Sequence, residues 1–306
     1  MVDISHKKFV IFCKTYRNDV LRAKKLLESI AQFNQDKIPV YFSVPKADLD
    51  VFNQSISADF LEKHNIAYFH LISDEEIVLS NPRVSLESYY ILPGQLSQQI
   101  VKAEAWRKIG CDNYLCVDAD SYFTQSFSLK NFMRDRDHPY TLLHENEEFI
   151  KELIRLDKKK ILSDIEKQCV LMKVEFNREG LNYDFGPSPL IWSKRVWESL
   201  DQKHFMARNE TIWQAITRLP HEIIWYGEAL LKYQAISIYP IKPLFFCFHY
   251  DWQVPSKKEL KSYIGIVSQS NWDKTLDPDF CKKSFLSRIV RGFRRVLGRM
   301  KNRLKK

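Results

Sequence analysis

Two aspartates one residue apart, Asp118 and Asp120, stand within the run "NYLCVDADSYF" at residues 113–123. On a regular strand, residues i and i+2 point to one face. Two carboxylates held side by side repel unless a cation lies between them. Hard oxygen ligands of this kind suit Mg²⁺ or Mn²⁺. Such an ion keeps one or two carboxylates and gives its other positions to waters and phosphate oxygens. Its chemistry would be Lewis acidity at a departing diphosphate. In a chain with 38 acidic residues the same spacing also arises by chance, as a solvated strand end. The surroundings of the pair therefore carry more information than the pair itself.

The elements that must position it alternate along the chain. "KFVIFC" (8–13) reads as a buried strand, and "DVLRAKKLLESIAQFN" as a helix with Leu21, Leu26, Leu27, Ile30 and Phe33 at roughly helical spacing. "IPVYFSVP" is a second strand, "DLDVFNQSI" begins a helix, and "IAYFHLI" is a third strand. Residues 74–94 read as irregular, with Pro82, Pro93 and Gly94. "QLSQQIVKAEAWRKIG" (95–110) is a helix ending in glycine, and "YLCV" (114–117) is the strand that delivers the aspartates. Residues 145–180 are charged and helical, an excursion over the site. "GPSPLIWSKRVWESL" (186–200) supplies a turn, a short strand and a helix. "HEIIWYGEALLKYQAI" (221–236) is a further helix and "KPLFFCFHYDW" (242–252) a late strand. This order predicts an α/β fold: a Rossmann-like, mostly parallel sheet flanked by helices. The carboxyl ends of such strands are where open sheets bind ligands.

A chain of 306 residues allows one large α/β domain or two small ones. Its 45% apolar and 28% charged content is ordinary for a globular protein. Six cysteines occur, at 13, 111, 116, 169, 247 and 281, without a CxxC pair. That is a reduced, cytoplasmic pattern rather than a disulfide framework. The start, "MVDISHKKFVIFCKTY", reads as a polar lead and a strand, not a signal peptide. Apolar runs such as "LFFCF" fall far short of the ~20 residues a membrane span needs.

The net charge of +9 is concentrated at one end. Residues 282–306 hold eleven of the 47 basic side chains and no acid, which leaves 36 basic against 38 acidic in the rest. Phe285, Leu286, Ile289, Val290, Phe293, Val296, Leu297, Met300 and Leu304 recur there every three or four residues. The expectation is a C-terminal amphipathic basic helix that lies on an anionic membrane surface. Each Lys or Arg near such a surface contributes on the order of 1 kcal/mol. Gly292 and Gly298 weaken it as a free helix. An apolar stripe has no role on a phosphate backbone, so no nucleic acid partner is expected. The chain thus divides at residue 281 into a globular domain, 1–281, and a membrane-associating tail, 282–306.

Five blocks follow one another between residues 9 and about 252. They are "CKTYRNDVLRAKKLLESIAQFNQDKIPVYFSVPKAD", "PGQLSQQIVKAEAWRKIGCDNYLCVDADSYF", "FGPSPLIWS", "HEIIWYGEALLKY" and "FHYDW". In that order they resemble the nucleotide-sugar-dependent glycosyltransferases of GT-A fold. More narrowly, they resemble a poorly characterised group of bacterial and viral GT-A-like proteins of the DUF6492 type. One departure is Gln95, where that group places an aromatic residue beside the acceptor.

The resemblance implies a hexosyltransferase-like enzyme that uses a nucleotide sugar, a UDP-sugar foremost, with Mn²⁺ or Mg²⁺. Asp118 and Asp120 would carry the metal and the diphosphate, and His249 would be a third ligand. A neutral imidazole suits Mn²⁺ beside carboxylates; a buried, hydrogen-bonded core histidine is the alternative. Thr15, Tyr16 and Asp19 would form the donor loop that holds the nucleoside, or else an ordinary turn with Asp19 capping the next helix. Gln98, Gln99 and Lys102 can share one helix face toward donor sugar and phosphate, or form a solvated face. Glu222 is the candidate general base, with Glu228 its rival; negative charge near a helix N-terminus is also favoured by the dipole alone. Gly186, Pro187 and Ser188 would shape the acceptor turn, and Trp192 and Trp225 would stack on a sugar unless they belong to the core.

The expected function is metal-dependent transfer of a sugar to a glycan or lipid-linked glycan, in synthesis of cell-surface capsule polysaccharide or lipopolysaccharide. The expected location is the cytoplasm, peripheral on the inner face of the cell membrane. Two alternatives remain. One is a phosphohydrolase of the haloacid dehalogenase type, whose DxD lies near the chain start with Thr or Val two residues after the second Asp. Here Tyr122 stands at that place. The other is a non-catalytic membrane-surface protein that binds a nucleotide sugar.

Overall fold

Apolar runs buried on both faces build the centre of a mostly parallel sheet. The computed structural model describes residues 9–145, 147–256 and 258–269. Its strands in chain order are β1 (Phe9–Lys14), β2 (Val40–Val44), β3 (Phe69–Ser73), β4 (Asn113–Asp118), β5 (Ser121–Phe123), β6 (Thr141–Leu142), β7 (Leu190–Ser193), β8 (Pro240–Ile241), β9 (Phe245–Phe248) and β10 (Gly265–Ser268). The central sheet runs β3-β2-β1-β4-β7. The β3–β2, β2–β1 and β1–β4 pairs are parallel, and β7 joins β4 antiparallel. This is the expected Rossmann-like α/β arrangement, with helices on both faces. Lys14 pairs in register with Asp118, so the loop after β1 begins beside the first aspartate.

One face is covered by helix Val20–Phe33, which buries Ala23, Leu26, Leu27 and Ile30. The other is covered by helix Gly94–Ile109, which buries residues all round, including Ile100, Val101, Ala103 and Trp106. That helix ends at Gly110 with φ 72°, a left-handed C-cap that favours glycine.

Two features differ from the sequence expectation. Residues 74–94 hold two short helices, Asp74–Val78 and Leu86–Tyr90. The first is started by a reciprocal Ser73–Glu76 capping box. A second sheet, β5-β10-β9, also forms, and two of its strands lack a long apolar run. It matters because the Ser268 N–H donates to the Asp120 carbonyl at 3.0 Å, while Ser268 pairs with Phe248. The second sheet thereby brings the end of β9 to the aspartates. Among the described residues, no helix is long and apolar enough to cross a membrane. The expected tail helix, 282–306, lies outside the described residues.

Candidate active site

Asp118 ends β4, and Asp120 follows in the two-residue link to β5. The hydrophobic strand forces the pair to the sheet's carboxyl edge. Lys102 Nζ lies 2.5 Å from Asp118 Oδ1 and 3.9 Å from Glu222 Oε1. The Ser188 hydroxyl also reaches Asp118. Burial alone would raise the Asp118 carboxyl; Lys102 and Ser188 outweigh it and hold it below its ordinary value. Burial would also lower Lys102, but the Asp118 and Glu222 charges keep its ammonium above its usual range.

Asp120 is in the opposite condition. Burial and then the Asp118 charge push its carboxyl up to about 7, against Arg22 and Lys102. Its Oδ1 is buried and has no hydrogen-bond partner. A buried carboxylate oxygen left unpaired beside a second carboxylate is a place for a hard cation. The residues therefore fit Mg²⁺ or Mn²⁺. Asp118 and Asp120 would hold it and leave positions for waters and phosphate oxygens.

His249 does not complete a ligand set. Among the described residues, no three His, Cys, Asp or Glu side chains gather into a group that could hold a metal ion. His249 follows β9, and its ring packs on Phe149 at 5.7 Å. Burial lowers its imidazole to about 4, so it is neutral at pH 7. The neighbouring Gln253 accepts its backbone N–H and itself donates to Glu152 at 2.7 Å. The expected third metal ligand is corrected to a buried histidine facing helix Glu147–Arg155.

The loop that follows β1 carries Thr15, Tyr16 and Asp19 at the carboxyl end of the sheet. Thr15 is buried and its hydroxyl has no hydrogen-bond partner. Tyr16 is 44% exposed at the strand ends. Asp19 precedes helix Val20–Phe33 but makes no side-chain cap bond, so it is not there as a cap. It pairs with Arg22 at 3.2 Å instead. Arg22 was not singled out from the sequence, although an acid and a base three apart at a helix start are a visible signal. Also missed was the cluster behind the loop. Asp74 accepts from Lys14 at 2.8 Å, Ser43 at 2.5 Å and Tyr89 at 2.9 Å. Asp48 accepts from Arg17 Nε at 2.6 Å. These partners come from two strands, two turns and a short helix, and no local pattern links them.

Helix Gly94–Ile109 divides its three candidates. Lys102 is buried against the aspartate. Gln99 turns to Glu222, whose N–H it accepts at 3.3 Å. Gln98 is exposed, as is Gln95. Gln99 thereby caps the neighbouring helix, Glu222–Tyr233, at its first residue. Glu222 is thus held at both ends, its backbone by Gln99 and its carboxylate near Lys102. Burial raises its carboxyl, opposed by Lys102.

The turn over Gly186, Pro187 and Ser188 faces the same place through Ser188, and both of its proline bonds are cis. The His144 ring nitrogen Nε2 lies 2.6 Å from the Gly186 carbonyl. Gly227 lets the turn sit close, since a methyl there would overlap the Phe185 ring.

Three candidates are corrected. Glu228 is 2% exposed and is gripped by Arg178, Nε to Oε2 at 2.5 Å and Nη2 to Oε1 at 2.7 Å. It lies six residues beyond Glu222, about 600° round the helix, on another face. It is a structural ion pair, not a rival base. Trp192 is 1% exposed and packs on Tyr114, Trp197 and Tyr226. Trp225 is fully buried among Phe176, His204 and Phe205, and its indole N–H donates to the Leu219 carbonyl at 2.9 Å. Neither ring is open to a sugar.

No curated protein matches the chain. A family model does, across residues 8–279, which include every residue of the site. The chain belongs to that family, the family of unknown function DUF6492.

Proposed function

We propose that the chain is a metal-dependent glycosyltransferase of GT-A type, taking its sugar from a nucleotide-sugar donor, a UDP-sugar foremost. One observation carries the reading. At the carboxyl edge of a parallel sheet, Asp118 and Asp120 lie beside an exposed aromatic loop, with a buried ammonium on one carboxylate and an unpaired oxygen on the other. That is the chemistry of a diphosphate site. When bound, the divalent ion would supply Lewis acidity at the departing diphosphate.

The chain's own residues do the rest. Tyr16 offers a face to a base, and the unpaired Thr15 hydroxyl offers it an edge. Lys102 holds Asp118 ionised and adds positive charge where negative charge collects. Glu222 stands within one ammonium of the donor carboxylate. Its buried carboxylate is suited to take the proton of an attacking acceptor hydroxyl. Ser188 and its turn form the acceptor side. The acceptor proposed is a glycan or lipid-linked glycan of a cell-surface polysaccharide or lipopolysaccharide. The basic tail, 282–306, would hold the enzyme on the anionic inner face of the membrane.

The test is a thermal-shift panel of common nucleotide sugars, with and without Mn²⁺. A ligand at a hundredfold excess over Kd stabilises by about 2.7 kcal/mol. A shift with one sugar nucleotide that needs the metal supports the reading. No shift with any of them, in folded protein, would overturn the reading and favour a phosphohydrolase, whereas a shift without sugar transfer or donor hydrolysis would favour the non-catalytic binder.

A further inference from the structure

Helix Gly94–Ile109 carries Lys102 to the aspartates, but the turn that starts it has no part in that site. The chain enters the helix through "YYILPG" (89–94). Tyr89 is buried and donates to Asp74 at 2.9 Å, and Tyr90 donates to Glu75 at 3.2 Å. Asp74 and Glu75 directly follow β3, so these bonds fix the turn to the carboxyl edge of the sheet, the edge of Asp118 and Asp120. Beyond them the turn projects as a crest. Tyr90 is 62% exposed and Ile91 81%, and Pro93, Gly94 and Gln95 are exposed as well. Ile91 is the most exposed large apolar side chain among the described residues.

Two cations border the crest. The Lys46 N–H donates to Glu75, the carboxylate that Tyr90 also uses, and Lys46 is exposed. Arg17 donates to the carbonyl of the next residue, Ala47, at 3.0 Å, with its own side chain 55% exposed. Glu87, on the crest's own short helix, opposes them, so what the crest chiefly offers is apolar surface. A tyrosine beside an exposed isoleucine and proline suits the boundary between lipid headgroups and acyl chains. The course of the chain points to the same occupant. The Gln269 N–H donates to the Phe248 carbonyl, one residue after Ser268 meets Asp120. Residues 270–281 then lead to the basic segment 282–306. From Gln269 to Lys282 the chain can span at most about 45 Å. A membrane bound by that segment is therefore within reach of the edge that carries the crest.

We propose that the crest, 90–94, is a second contact with the anionic membrane surface, with Ile91 and Pro93 entering the headgroup–acyl boundary while 282–306 supplies the charge. The inference rests on the reading of 282–306 as a membrane-binding tail. Interfacial binding sums buried apolar area and electrostatic attraction; the crest adds the first and is too small to hold the chain by itself. It also narrows the acceptor. From Pro93 to Lys102 helix Gly94–Ile109 rises about 13 Å. With the crest among the headgroups, Lys102 and Asp118 stand no farther than that, along the helix axis, from the lipid. That placement fits an acceptor carried on a lipid rather than a free glycan.

The test is co-sedimentation of the full chain with vesicles of phosphatidylserine and phosphatidylcholine. Ile91→Asp should bind about tenfold more weakly than wild type, a change of about 1.4 kcal/mol. Tyr68→Asp, an exposed residue just before β3 at the opposite edge of the sheet, should bind as wild type does. Undiminished binding of Ile91→Asp would overturn the crest contact, leave the patch to a protein partner and let the tail reading stand. No binding by wild type would overturn both. An equal loss in the two variants would also overturn the crest contact, since the effect would not belong to that edge. A second measurement needs no variant: amide hydrogen exchange of the wild-type chain with and without vesicles. Slower exchange across 89–95 is expected, and unchanged exchange there would count against the crest.

Discussion

Replacing Lys102 by methionine removes a charge and keeps most of the buried stem. Its Nζ lies 2.5 Å from Asp118 and 3.9 Å from Glu222, and the side chain is 9% exposed. Taking one partner from a buried ion pair costs about 3–5 kcal/mol, but the Asp118 side chain is 32% exposed, so solvent screens part of the loss and about 2–3 kcal/mol is expected. Each kcal/mol moves Tm by about 2 °C in a chain of this length, so a fall of about 4–6 °C is expected at neutral pH. The pH dependence has a definite sign. Lys102 holds Asp118 below its ordinary value, so the Asp118 share of stability is present above the unfolded carboxylate pKa. It is lost as pH falls through the folded value. Lys102 is held above its own value, so its share persists through the neutral range. The gap between variant and wild type should be widest near pH 7 and narrow toward pH 4. With the ammonium gone, Mn²⁺ at Asp118 and Asp120 should restore part of the loss. Thermal unfolding followed by circular dichroism across pH, with and without Mn²⁺, reads all three. A fall under about 2 °C, or a fall that does not vary with pH, would refute the reasoning.

Asp120→Asn should leave metal-free stability unchanged or raised, because it removes a charge that burial and Asp118 already oppose. The same variant should lose any Mn²⁺-dependent thermal shift; a retained shift would show that the cation is held elsewhere. Glu228→Leu breaks the two-pronged pair with Arg178 and should cost about 3–5 kcal/mol in urea unfolding. Nucleotide-sugar affinity of that folded variant should be unchanged, and a large loss of affinity would return Glu228 to the site. Deleting residues 282–306 should abolish co-sedimentation with anionic vesicles and leave the donor-induced thermal shift intact. Vesicle binding that survives the deletion would place membrane contact elsewhere.

Much of the framework was legible along the chain because it is written in local spacing. An apolar run followed by Asp118 and Asp120 marks a strand that ends in charge, whatever the rest does. The glycine at 110 and the helix before it were equally readable. The short helices in 74–94 were missed because they last barely more than a turn. Their signal is one capping box at Ser73 and Glu76 rather than a period. The second sheet was missed because β5 and β10 are short and pair with each other across 142 to 146 residues of chain.

Which side chains meet was decided by packing. Helix Gly94–Ile109 is buried on several sides, so its pattern could not tell a solvated face from the one that puts Lys102 on Asp118. Glu222 and Glu228 look alike on one helix. Arg178, fifty residues from Glu228, makes the second structural, while Gln99, 123 residues from Glu222, caps the first. Trp192 and Trp225 are aromatic in either role, and only their full burial assigns them to the core. From its sequence alone this protein has an α/β fold with two carboxylates at a strand end, since strand and helix periods act between near neighbours. The counter-charge on Asp118, the unpaired oxygen on Asp120 and the hold on Glu222 exist only in the folded chain. Each joins residues that no local period brings together, and close packing sets their distances.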